Sequence, residues 1–201
     1  IAHAWGFGRR TRIGLPGESP GILRDLDEWD GYSLRRVPFG QEISVTALQM
    51  VMAFGAIANG GTLMQPRLMT RITDPRGREL WACEPTAVRR VLSSGVAAQI
   101  RECLADVVER GTGRRARMDR WTAWGKTGTA QIAGRGGYVD GAYTGTWVGG
   151  APKNRPAAVC LISIYWPDRH KGYYGGVVAA PYVKRVLETT LTYLHVMPDR
   201  P

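Results

Sequence analysis

Between residues 121 and 166 three strand-forming runs are separated by two short turns, which limits the fold more than any other stretch. Residues 121–132 read as a first strand and 134–141 as a loop. Residues 143–150 read as a second strand, 152–156 as a turn and 157–166 as a third strand. Connections this short leave no room for a crossover, so consecutive strands are antiparallel neighbours. The third run, AAVCLISIYW, is apolar on both faces, which predicts the central place in the sheet.

Helical patterns flank this sheet. Thr46 and Gln49 have capping-box spacing, and Leu48, Val51, Met52, Gly55 and Ala58 follow at helical intervals. Met50, Phe54 and Ile57 make the other face apolar too, so this helix is expected to be buried on most sides. Asn59-Gly60-Gly61 supplies a left-handed stop. A second helix is predicted over 94–110, with Val96, Ile100, Leu104, Val107 and Val108 on one face and Gly111 ending it. A third covers 181–196, with Val183, Val186, Leu187, Thr190, Leu191 and Leu194 as its stripe. Residues 66–81 read as two short strands around the turn Asp74-Pro75-Arg76-Gly77. Residues 5–40 are rich in Gly, Pro and Arg and read as loop, with a tight turn at Leu15-Pro16-Gly17. The fold class is therefore α+β, an antiparallel sheet flanked by helices.

Composition narrows the function. The cysteines Cys83, Cys103 and Cys160 are scattered and odd in number, and neither Cys-x-x-Cys nor paired-His spacing occurs. A disulfide framework and a metal centre are not expected. His3, His170 and His195 are isolated and read as surface or packing residues. The net charge of +10 comes from 27 basic against 17 acidic residues. Its local clusters, at Arg9, Arg10 and Arg12 and at Arg114, Arg115 and Arg117, lack interleaved aromatics, so a solvated basic surface is expected and no nucleic-acid partner. No run reaches the about 18 apolar residues of a membrane span. Starting at Ile1 rather than Met, the chain reads as a piece of something longer.

The stretch AWGKTGTAQ over residues 123–131 carries the chemistry. Gly125-Lys126-Thr127 is not the end of a phosphate-binding loop, because that loop needs a glycine five residues earlier, where Arg120 stands. It also runs into a strand instead of opening a helix. On a strand beside a cleft, Lys126 is a fixed cation able to attract a carboxylate or tune a proton transfer. Thr127 can hydrogen-bond the same carboxylate. Gly128 removes a side chain where an extended peptide would lie, and the Thr129 amide can face a developing oxyanion.

GKTGTAQ resembles the third motif of the serine penicillin-binding proteins, the D,D-transpeptidases that cross-link peptidoglycan. GFGRRTRIGLPGESPG is similar to their loop after the second motif, and FGQEISVTALQMVMAFGAIANGG to the long helix of the class B enzymes, with Ala47 where proline is usual. VVERGTGRRA resembles the segment leading into the motif strand. YTGTWVGGAP and YYGGVVAAPYVKRVLETTLTYL resemble the last strands and terminal helix. FGQEISVT points to the division-type branch.

The resemblance implies a penicillin-binding protein/β-lactamase-like transpeptidase fold. Residues 1–201 would be the C-terminal portion of that domain, incomplete at its N-terminal side. It implies that Lys126, Thr127 and Gly128 bind the carboxylate of a D-Ala-D-Ala stem peptide or of a β-lactam. Thr129 would add an oxyanion amide, with Lys126 and Thr129 taking part in catalysis, and Tyr173 and Tyr174 would form an aromatic wall over the ligand. No cofactor is implied. Cell-wall synthesis or division proteins are the implied partners. The implied location is the extracytoplasmic face of the bacterial cytoplasmic membrane, through an anchor upstream of this chain.

The family also needs a Ser-x-x-Lys nucleophile and a Ser-x-Asn. Ser19, Ser33, Ser44, Ser93, Ser94 and Ser163 are followed at the third position by Ile, Arg, Ala, Val, Ala and Trp, and none begins Ser-x-Asn. By the family's order both motifs precede Ile1, so the chain alone is expected to be inactive and poorly stable. The competing readings are a truncated or degenerate module that binds penicillin or peptide without catalysis, and a β-lactamase or β-lactam sensor, against which the segment around Ser44 argues.

Overall fold

A computed structural model describes residues 1–134 and 137–200, which divide into two compact units. The first comprises Ile1–Ala56 and Thr62–Val91, the second Ile57–Gly61 and Leu92–Pro201. No described helix is long and apolar enough to cross a membrane.

In the first unit, the glycine-rich opening forms short pieces: strand β1 (Ile22–Leu23), helix α1 (Ser33–Arg36) and strand β2 (Ile43–Ser44), with β2 antiparallel to β1. Helix α2 (Ala47–Ala58) follows, and its capping box is present. Thr46 N–H donates to Gln49 Oε1 at 2.9 Å, and Gln49 N–H to Thr46 Oγ1 at 3.1 Å. The same Gln49 is buried, and its Nε2 donates to the carbonyls of Arg9 and Pro20, each at 2.8 Å. One side chain thus starts the helix and ties down the loop before it. The most buried line of α2 is Gln49, Ala53, Ala56 and Ile57, while the expected stripe of Leu48, Val51 and Met52 is only half-buried. Small residues let the backbone approach its neighbours most closely, which apolar spacing alone does not register. Gly60 and Gly61 end the helix with φ of 81° and 101°.

Strand β3 (Thr62–Met64) pairs with β6 (Ala87–Arg90), and β4 (Arg71–Thr73) with β5 (Glu79–Ala82). The turn joining β4 to β5 closes through Gly77 N–H to Asp74 O at 3.0 Å, as its sequence implies. The β3–β6 pair carried no sequence signal, since these strands are too short for a period to show.

The second unit is the sheet and its helices. Helix α3 (Ser94–Glu109) is capped by Ser93, whose hydroxyl accepts from Val96 N–H. Its buried residues are Ala97, Ala105 and Val108, whereas Val96, expected on the packed face, is exposed at the first turn. Strands β7 (Trp124–Gly134), β8 (Gly137–Ala151) and β9 (Ala158–Tyr165) form one antiparallel sheet in the order β7-β8-β9. The central strand is therefore β8, not the third run. Glycines disguise it: Gly145, Gly149 and Gly150 add no apolar side chain, yet let other groups in against the strand. A Cβ on Gly149 would lie 2.1 Å from the Trp124 carbonyl oxygen. The expected loop over 134–141 is largely paired strand, with Ala133 opposite Tyr138 and Gly134 opposite Gly137; residues 135 and 136 lie outside the described residues.

Helices α4 (Gly175–Val178) and α5 (Ala180–Tyr193) complete the unit. Ala180, Val183, Leu187 and Leu191 of α5 pack with Val108, Met118, Trp121 and Trp147 in the core. Each large apolar side chain buried there contributes about 1.5–3 kcal/mol. Val186 and Leu194, expected in the stripe, are about half exposed. The architecture is the expected α+β class.

Candidate active site

Strand β7 enters the core as Trp124-Gly125 and leaves it at Lys126. Gly125 is demanded by packing, because a Cβ there would stand 2.4 Å from Cζ2 of Trp147. From Lys126 to Gln131 every residue but the half-buried Thr127 is exposed. Among the described residues β7 has a strand on one side only, so the other edge of the motif faces outward. The anchored end holds the exposed end in place, as a site on a rigid strand requires.

Lys126 Nζ lies 2.7 Å from the Thr127 carbonyl oxygen and 3.5 Å from Thr127 Oγ1. Thr127 Oγ1 in turn lies 2.8 Å from Oγ1 of Thr112, which stands in the turn after α3. That turn is tight: Gly111 N–H and Gly113 N–H both reach the Val107 carbonyl, at 3.1 and 3.0 Å. Of two hydroxyls that share one hydrogen bond, the acceptor keeps its own proton for a third group. An ammonium beside such a pair is a ready carboxylate site.

Gly128 differs from Gly125. The nearest atom to a Cβ at Gly128 is Thr146 Cβ at 3.8 Å, so the protein itself leaves that position open. Thr129 Oγ1 accepts from Gly175 N–H at 3.3 Å, which fastens the start of α4 to β7. The approach is as close as backbone allows. A Cβ on Gly175 would meet the carbonyl oxygens of Thr146 at 2.0 Å and Gly128 at 2.5 Å.

The two residues before Gly175 are Tyr173 and Tyr174, so they stand at the Thr129 end of the motif. Tyr173 stacks between Tyr143 of β8 and Tyr174, with ring centres 4.4 and 4.3 Å apart. The Tyr173 hydroxyl donates to that of Tyr174 at 3.0 Å. That hydrogen bond, more than burial or the neighbouring phenols, raises the Tyr173 pKa and keeps it neutral.

All six residues expected from the sequence therefore gather along β7 and the start of α4. Two more join them unannounced: Thr112, which bonds Thr127, and Tyr143, which completes the stack. The Gly-Thr-Gly of the segment before the motif strand was the available signal for Thr112. Tyr143 had none, since only the register that sets it opposite Gln131 brings it here. No group of three or more possible metal ligands occurs among the described residues. A cavity of about 640 Å³ in the first unit, lined among others by Trp5, Arg9, Arg12 and Leu63, contains none of the site residues.

The family model described as penicillin binding protein transpeptidase domain matches residues 1–188. Stage V sporulation protein D of Bacillus subtilis is 37% identical over 199 residues, which are 98% of this chain and 30% of the relative. The probable peptidoglycan D,D-transpeptidase PenA of Neisseria flavescens is 32% identical over 200 residues, 99% of this chain and 47% of the relative. The crystal structure of penicillin binding protein 3 from Mycobacterium tuberculosis complexed with ampicillin matches with a TM-score of 0.89 at 34% identity. That match covers 100% of this chain and 46% of the other. A structure of the same protein complexed with aztreonam matches with a TM-score of 0.88.

Proposed function

Because this chain belongs to the penicillin-binding protein transpeptidase domain family, we propose that it supplies the ligand-binding strand of a serine D,D-transpeptidase that cross-links peptidoglycan and is inhibited by β-lactams. It spans 30% and 47% of the two relatives just described, and we assign the whole reaction to a longer parent protein. The observation that carries the reading is the outward edge of β7, where the Lys126 ammonium adjoins the Thr127–Thr112 hydroxyl pair and the open position at Gly128.

The acyl donor lies extended along that edge as an added strand. Its terminal carboxylate pairs with Lys126 and accepts from the Thr127 hydroxyl. The space at Gly128 admits its backbone. A serine of the parent attacks the penultimate carbonyl carbon, and the Thr129 N–H donates to the oxygen as negative charge develops there. The C–N bond to the terminal D-Ala breaks, and that amine leaves with a proton. A second peptide's amine then displaces the serine from the resulting ester. A β-lactam follows the first half only, since its leaving amine remains tethered. Tyr173 and Tyr174 form a wall along the ligand, and their stacking keeps that wall in one geometry. A division role, membrane anchoring and extracytoplasmic location are properties we assign to the parent, with other cell-wall proteins as its partners. FGQEISVT supports the division role.

One observation favours a second reading of the chain by itself. None of its serines has lysine at the third position, so alone it would bind such ligands without reacting. The test is to read the coding frame upstream of Ile1 and to treat the intact parent with labelled penicillin. Ser-x-x-Lys and Ser-x-Asn upstream, with a covalent adduct on the parent, are expected. A stop codon, an inert residue at the serine or reversible binding only would leave a binding module.

A further inference from the structure

A cation at the side of the tyrosine stack has no part in the chemistry above. The Arg169 guanidinium carbon lies 5.9 Å from the ring centre of Tyr143 and 5.8 Å from that of Tyr173. Several features prepare its place. Trp166 N–H donates to the Tyr143 carbonyl at 2.9 Å, tying the start of the loop to β8. Asp168 caps the turn Arg169–Lys171 by accepting from His170 N–H at 3.0 Å. Gly141, at φ of 70°, leaves room for the guanidinium: a Cβ there would stand 2.5 Å from Arg169 Nη1.

Lying at the rim of the stack, equally far from both rings, the guanidinium keeps its N–H groups free for an outside acceptor. Among the described residues no carboxylate pairs with Arg169 and no acceptor takes its N–H groups. Lys171 adds a second cation in the same turn, while the Asp168 carboxylate is engaged by the His170 N–H. The position is also referenced to the reacting strand, through Tyr173, Tyr174 and the Gly175 hydrogen bond to Thr129. Tyr143 stands opposite Gln131, five residues beyond Lys126. In an extended ligand that separation is about 16 Å, part of which the Lys126 and Arg169 side chains span.

We propose that Arg169 is a specificity-determining residue that receives a second carboxylate, carried on a side chain of the acyl donor, beyond the terminal carboxylate held at Lys126. The preferred ligands are then peptides and penicillins with an acidic group over the Tyr143–Tyr173 stack. This rests on the transpeptidase reading.

The experiment compares acylation rate constants of the full-length parent with benzylpenicillin and with carbenicillin, whose side chain differs by one carboxylate. In Arg169→Gln the ratio of the carbenicillin to the benzylpenicillin constant should fall about fivefold, the scale of a solvent-accessible ion pair. In the unmodified protein that ratio should also fall as salt is raised, and in the variant it should not. An equal loss with both penicillins would mean that Arg169 only braces the stack, and an unchanged ratio would also overturn the proposal. Absence of acylation by either penicillin in the unmodified parent would instead remove the transpeptidase reading, and this proposal with it.

Discussion

The hydroxyl oxygens of Thr112 and Thr127 lie 2.8 Å apart, although one stands in the turn after a helix and the other on the motif strand. The contact holds the Thr127 hydroxyl in place, with either oxygen able to donate. Replacing Thr112 by Val keeps the shape and removes the hydroxyl. We expect acylation of the parent by labelled penicillin to slow by about twofold to twelvefold, the scale of one neutral hydrogen bond. Thr112→Ser should retain most of the rate. An unchanged rate in Thr112→Val would reduce the residue to a turn former.

Lys126 is exposed and, among the described residues, its ammonium hydrogen-bonds only Thr127, so its removal should spare the fold. Lys126→Ala in the parent should slow acylation by about a hundredfold or more, as losing a preorganised electrostatic group does. Its effect on stability should stay within about 0.5 kcal/mol. Calorimetry and penicillin labelling on the same sample separate the two. Normal labelling would take Lys126 out of the site.

Gly125 and Gly128 make opposite predictions from one motif. Gly125→Ala drives a methyl group into Trp147 and should destabilise the protein by about 1–3 kcal/mol. Gly128→Ala meets nothing of the protein closer than 3.8 Å, so its melting temperature should hold while penicillin labelling falls. Retained labelling in Gly128→Ala would show that no ligand passes that point.

Acid should loosen the opening segment of the first unit. Glu42 accepts from the Ser33 hydroxyl at 2.7 Å and from Arg36 at 3.1 Å, and it also pairs with Arg24. Those contacts, the Ser33 hydrogen bond foremost, hold its pKa below the ordinary 4.5. Asp30 is lowered from 3.8, chiefly by the Tyr32 amide. Both groups are more acidic folded than unfolded, so their stabilisation is complete above the unfolded values and is lost as pH falls through the folded ones. Amide protection over residues 24–42 should therefore decline below pH 4.5, and Glu42→Gln should flatten that decline. Protection that is level from about pH 6 to 3 would contradict the assignment.

Whatever depends on neighbours in the chain was legible in the sequence. Thr46 and Gln49 cap each other three residues apart, and Asp74 and Gly77 close a turn. Lys126, Thr127, Gly128 and Thr129 needed only a strand to become a row of donors beside an open edge. The tertiary structure decided what depends on partners far along the chain. Strand order placed glycine-bearing β8 in the middle, against the apolar pattern of the third run, because close backbone approach leaves no trace in hydrophobicity. Helix rotation buried Ala97 and Ala105 and left Val96 outside, since a packed face is chosen by the neighbour it meets as well as by its own stripe. Thr112 reached Thr127 only through the packing of α3 against β7, and Tyr143 joined Tyr173 only through the register of the sheet and the seating of α4 on it. Local chemistry names the groups of a site; the distances between them arise when separate segments are packed together.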